Sequence, residues 1–140
     1  MNPNSKFVKA MFATILLLLL LTFLDILVIV YLWLPSPTTS FGSKLPWFWW
    51  IPFGFIQFFL PLAVSWLLNS KLPLLNYLFF TFGIEDTLFY LIAHKTIPEV
   101  YQGIYYLGVF FAPPKHIVLI GNLVAVGLAV TLLYGFRRDV

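Results

Sequence analysis

Long apolar runs broken at intervals by short polar stretches set the pattern of this chain. Four runs reach the roughly 20 residues that a bilayer crossing requires. They are Ala10–Leu34, Trp47–Leu68, Leu72–Ala93 and Ile117–Phe136. Lipid offers no hydrogen-bond partner to open backbone, so each run predicts a helix. The first run follows Lys6 and Lys9 as a signal peptide would. It is longer than a signal core, and only "LPSPTTSFG" follows it, with no small-residue cleavage site. It predicts a retained helix.

The connections differ in kind. Pro35–Pro46 is a Pro/Ser/Thr loop, and Asn69–Lys71 is a tight turn that predicts an antiparallel pair of spans. Lys95–His116 is long and holds "VYQGIYYLGVFFA", Val100–Ala112, with five aromatic residues. That piece is too short to cross as a helix. It predicts a segment lying in the interface or dipping back into the membrane, as an anchor or as a lid. The fold expected is an all-α, four-transmembrane-helix bundle in a single domain, residues 1–140, with this interfacial or re-entrant segment between helices 3 and 4.

Composition agrees with the pattern. The chain is 61% hydrophobic and 9% charged, against about a quarter charged in soluble domains. Having no Cys, it holds no disulfide, thiolate zinc site or cysteine nucleophile. Nothing in the sequence calls for a cofactor or a metal, and a net charge of +3 is too small for a nucleic-acid partner. With four crossings, Lys6, Lys9, Lys71, Arg137 and Arg138 lie on one side and Lys44, Lys95 and Lys115 on the other. That bias predicts both termini in the cytoplasm, with the chain in the cell membrane. Trp47, Trp49 and Trp50 suit an aromatic belt. The rows Gly121–Ala125–Ala129 and Gly127–Thr131–Gly135 have the spacing at which helices approach closely.

Candidate chemistry lies in the few polar residues within the spans: Asp25, Gln57, Asn76, Glu85, Asp86 and Asn122. Counted from the outer ends of their spans, Asp25, Gln57, Glu85, Asp86 and Asn122 lie at depths of about 14, 15, 12, 11 and 8 Å. All four spans thus offer a polar group to one layer just outside the midplane. No Lys or Arg lies within a span to balance the three acids. Each acid costs about 2.5–3.5 kcal/mol at a helix centre on insertion scales. They can hold or share protons, bind a cation, meet a cationic group on a substrate or another chain, or serve only as hydrogen-bonding glue. Asp86, Tyr90 and His94 recur at i, i+4 and i+8 and share one face, which suits a proton path to the outer surface. Glu85 points about 100° away, toward a different helix. The third span places both acids mid-helix rather than at a helix start.

The stretch "GIEDTLFYLI", Gly83–Ile92, resembles a motif of the small membrane lycopene cyclase domains, which occur as heterodimer subunits or fused repeats. Their motif is close to Pro-Leu-Glu-Glu-x-x-Phe-Phe. Ile84, Glu85, Asp86, Phe89 and Tyr90 fall at matching places, while Gly83 stands where the family has Pro. The likeness covers about ten residues. It implies acid chemistry on a polyene: one carboxyl protonates a terminal double bond and a carboxylate later takes a proton back, with Glu85 and Asp86 as acid and base. A second pattern, that of the intramembrane CAAX-type proteases, does not carry over. Tyr90 occupies the place of their Arg, and no later span holds a His.

Three functions follow as expectations. The first is an intramembrane site binding or transforming a lipophilic, isoprenoid-like molecule, with Glu85 and Asp86 reacting and Asp25, Gln57, Tyr90, His94 and Asn122 in support. The second is ion or proton movement by a homo-oligomer. The third is an accessory subunit whose acids meet a basic residue of a membrane partner.

Overall fold

A computed structural model describes residues 3–29, 47–101, 104–107 and 109–136. The expected end of the first span beyond residue 29, the loop Pro35–Pro46 with Lys44, and Arg137 and Arg138 lie outside these residues. So do the side chains of Trp47, Trp49 and Trp50.

The fold is helical, with one small hairpin. Helix α1 is Pro3–Ile26 and α2 is Trp47–Leu68. A 3-10 turn, Leu72–Leu75, leads into α3, Asn76–Thr81, and then α4, Ile84–Ala93. Strands β1, Ile104–Tyr106, and β2, Val109–Phe111, precede α5, Lys115–Phe136. Among the described residues three stretches are long and apolar enough to cross a membrane: Ser5–Ile29, Ile51–Leu68 and Lys115–Gly135. The first begins five residues before the expected span, and over residues 27–29 it widens into a π-type turn.

The third expected span, Leu72–Ala93, is not one helix. Two features of the sequence break it. Pro73 opens the segment as a 3-10 turn, since proline fits a first turn and has no N–H to continue a helix backwards. Gly83 then takes φ 71°, ψ 22°, a left-handed conformation that costs other L-residues about 1–2 kcal/mol. The chain turns there and restarts as α4. The acids accordingly lie in the first turn of a helix rather than mid-helix.

Three apolar clusters give the bundle its axis. At one end Ala10, Leu72, Leu75 and Ala129 are buried, with Phe7, Leu68 and Leu133 against them. In the middle Leu17 and Leu21 of α1 meet Phe53 of α2, with Phe80 of α3 beside them. At the other end Ile26, Ile29, Phe89, Tyr90, Tyr101 and Val118 come together. The start of α1 and the end of α5 thus share one end, and the end of α1, the end of α4 and the start of α5 share the other. The broken segment α3–α4 runs between them.

Polar side chains also fasten these helices. Asn76 is fully buried, and its amide donates to the carbonyls of Thr14 (3.2 Å) and Pro73 (3.0 Å). Pro61 within α2 cannot donate to the Gln57 carbonyl. The next carbonyl, that of Phe58, accepts the Tyr77 hydroxyl.

The segment expected to be interfacial is a β-hairpin at its centre. Ile104 faces Phe111, Tyr105 faces Phe110 and Tyr106 faces Val109. Below the strands the chain ends pair again. Tyr101 N–H donates to Pro113 O at 2.9 Å and Lys115 N–H to Glu99 O at 2.8 Å. The Lys115 ammonium meets the Glu99 carboxylate at 3.2 Å. The far end of the hairpin returns to the helices, where Leu107 N–H donates to Thr81 O at 2.9 Å.

Candidate functional site

The break at Gly83 positions the site. Because α4 starts at Ile84, Glu85 and Asp86 occupy a first turn, whose unpaired N–H groups favour negative charge or a lone pair. Glu85 is buried and Asp86 half-buried. Helix α4 packs against α1, and Asp25, buried one residue before α1 ends, lies close enough for its charge to act on both acids of α4. Three carboxyls therefore gather from two helices. Glu85 Oε1 is buried without a hydrogen-bond partner.

A second polar group lies around the same turn. Thr87, two residues on from Glu85, is buried and donates its one hydroxyl hydrogen to Gly83 O at 2.9 Å. Its oxygen then has two acceptor positions. Asn122 Nδ2 on α5 takes one at 2.7 Å, and Tyr101 Oη takes the other at 2.8 Å. With Thr87 committed to Gly83, the phenol must be the donor. Burial raises the Tyr101 phenol above its ordinary value, and the Thr87 bond offsets part of the rise, so the phenol keeps the hydrogen it donates. Asn122 Oδ1 is left buried and unpartnered.

Of the residues singled out in the sequence, the structure brings Asp25, Glu85 and Asp86 together and joins Asn122 to the same turn through Thr87. Tyr90 is buried one helical turn beyond Asp86, its ring edge-on to Tyr101 at 5.2 Å. His94, exposed at the end of α4, lies 5.8 Å from Tyr90 between ring centres. The stripe Asp86–Tyr90–His94 thus runs from the acids to the surface. Gln57 is half-buried on α2, and among the described residues no hydrogen bond ties it to the acids. Thr87 and Tyr101 were not singled out. A threonine gives little signal among apolar residues, and Tyr101 reaches α4 only because the chain folds back after α4 ends.

Among the described residues no group of three His, Asp or Glu side chains is placed to hold a metal ion. The arrangement is suited to holding protons: carboxyls from two helices that repel one another as anions. No family model, curated protein or solved structure matches the chain.

Proposed function

We propose that this is a four-crossing membrane protein whose acid turn binds and transforms a lipid-dissolved, isoprenoid-like molecule by proton transfer. The broken pair α3–α4 serves as the third crossing, both termini face the cytoplasm, and the hairpin dips back into the membrane. One observation carries the chemistry: Asp25, Glu85 and Asp86 gather at the start of α4 with Glu85 Oε1 buried and unpaired. A carboxyl held in apolar surroundings keeps its proton and can deliver it to a weak base such as a double bond. A second carboxyl beside it can take a proton back. The likeness of Gly83–Ile92 to the lycopene cyclase motif fits this chemistry, with Glu85 and Asp86 as the acid and base.

The test is organic extraction of the purified protein after exposure to a total lipid extract, read by mass spectrometry. The Glu85→Gln, Asp86→Asn double variant is carried alongside. A polyene or other isoprenoid retained by the parent and lost from the folded variant is the expected result. Equal retention by both proteins overturns the reading.

A second reading is proton passage, and the stripe from Asp86 through Tyr90 to the exposed His94 favours it. In that case liposomes carrying the protein dissipate a pH gradient, and Asp86→Asn abolishes the flux. Gradients held as long as in protein-free liposomes exclude it.

A further inference from the structure

Two oxygens near the acid turn are buried without a hydrogen-bond partner. One is Glu85 Oε1, on a residue only 3% exposed. The other is Asn122 Oδ1 on α5. Asp86 lies between them. On α4 it is about 100° around from Glu85 on one side and from Thr87 on the other, and Thr87 holds the Asn122 amide at 2.7 Å. Glu85 and Thr87 are both buried, yet Asp86 between them is half-buried. Its exposure therefore opens among neighbouring elements. The outward face of α4 lies on the other side, with the exposed Leu91 and Ile92.

The hydroxyl hydrogens beside Asp86 are committed. Thr87 donates to Gly83 O and Tyr101 donates to Thr87, so neither meets an orphan oxygen. The same residues bring aromatic rings. Tyr101 is fully buried and close enough to Asp86 for the carboxylate charge to act on its phenol. Tyr90, one turn beyond Asp86, sets its ring at 81° to Tyr101 with centres 5.2 Å apart. Unmet oxygens beside aromatic rings suit a group that carries several N–H donors and a positive charge, which ring faces attract. A metal ion is the poorer fit, since among the described residues no three His, Asp or Glu side chains are placed to hold one.

We propose that the acid turn binds a lipid-soluble primary amine, with Glu85 and Asp86 as its counter-ions, Asn122 Oδ1 as a further acceptor and the Tyr90 and Tyr101 rings beside it. The proposal rests on the acid turn being the functional site and gives it a ligand other than a polyene. The amine travels through lipid in its neutral form, because a lone ammonium is costly there. At the site it takes a proton from a carboxyl. The O–H bond breaks, an N–H bond forms, and ammonium and carboxylate remain as a pair, so charge arises only where it is offset. Glu85 is too deeply buried for a partner helix to reach from outside with a basic side chain, which favours a small molecule.

Octylamine is the probe and octanol its neutral match, each measured by equilibrium dialysis against the purified protein in nonionic detergent. The parent should bind the amine about tenfold more tightly than the alcohol, or more, the difference that a charged hydrogen bond makes. Glu85→Gln and Asp86→Asn should each weaken amine binding by a similar factor, and Asn122→Leu by about fivefold. A second readout needs no variant. A lipid-soluble carbodiimide adds the O–H of a protonated carboxyl across a C=N bond with nothing lost, so a mass gain on Glu85 or Asp86 marks a carboxyl that holds its proton. Dimethyloctylamine takes that proton but cannot be acylated, and it should slow labelling of the acid pair where octanol does not. Amine bound no more tightly than alcohol by the parent overturns the proposal, in favour of a basic side chain from a partner helix. Amine binding unchanged in both acid variants, or labelling indifferent to the amine, overturns it as well. If the parent retains an isoprenoid but binds no amine, the amine site falls and the lipid reading stands. Amine bound at the acids with no isoprenoid retained gives the reverse.

Discussion

Gly83 decides more than any other residue. At φ 71° it lies in the left-handed region, and it ends α3 so that α4 can begin with the acids in its first turn. Gly83→Ala should cost about 1–2 kcal/mol, measured as a lower midpoint of thermal unfolding in detergent, with Gly83→Asn costing less because Asn tolerates that region. A midpoint unchanged in Gly83→Ala would show that the break is not fixed there. Asn76 is the other residue that holds the fold together, its amide nitrogen tying α3 to α1 while its Oδ1 stays buried without a partner. Asn76→Ala removes two amide bonds to Thr14 and Pro73. At about 0.6–1.7 kcal/mol for a polar contact between membrane helices, it should lower stability without changing carbodiimide labelling of the acids. A labelling change in that variant would mean that Asn76 shapes the site. The sequence marked Asn76 as polar within an apolar run, while Gly83 stood out only where the lycopene cyclase motif has Pro. Polarity alone made Asn76 a neighbour of the acids in kind, and only its bond to Thr14 shows that it holds α3 against α1.

At the scale of elements, the apolar pattern predicted α2 to the residue and α5 within two residues, because nothing but length and hydropathy sets them. It failed at the third run for a physical reason. Hydropathy averages over a window, whereas a helix ends at single residues: Pro73 for its 3-10 start and Gly83 for its interior break. The hairpin was equally hidden. Its aromatic content spoke of an interface, while its pairing depends on a backbone register that composition does not encode. The small-residue rows of α5 divided in the same way. Ala125 and Ala129 are buried with Gly121 against neighbouring helices, while the row through Thr131 is exposed, and a Cβ at Gly127 or Gly135 meets nothing within 4 Å. What joins α4, α5 and the hairpin is the hydroxyl of Thr87. Thr87→Val strands the Asn122 amide and the Tyr101 phenol together, and each buried orphan costs about 1–3 kcal/mol. In a double-mutant cycle with Tyr101→Phe, the combined loss should be smaller than the sum of the two single losses, since the second variant removes a group the first has already orphaned. Strict additivity would show that the two hydroxyls do not depend on one another.

For the whole molecule, the question is whether the broken pair crosses the membrane. Residues 72–93 number 22, enough for about 33 Å if wholly helical. The apolar clusters place Leu72 at the end of the bundle opposite Phe89. Backbone exposed at the break would be intolerable in lipid, which is why the bond from Leu107 to Thr81 matters beyond the hairpin itself. It lets a discontinuous segment lie at membrane depth with that carbonyl satisfied. A membrane-crossing pair puts Lys71 and Lys95 on opposite faces, and both side chains are exposed. Single cysteines placed at these positions in the cysteine-free chain can be labelled in intact cells with a maleimide that does not cross membranes. Lys95→Cys should react from outside, while Lys71→Cys should react only after the membrane is opened, if the orientation follows the proposal that Lys6, Lys9 and Lys71 face the cytoplasm. Labelling of Lys71→Cys alone from outside would invert the protein but keep the crossing. Labelling of both from one side would make α3 and α4 a re-entrant pair, place the termini on opposite faces, and bring the acid turn to the membrane from the side where both cysteines react.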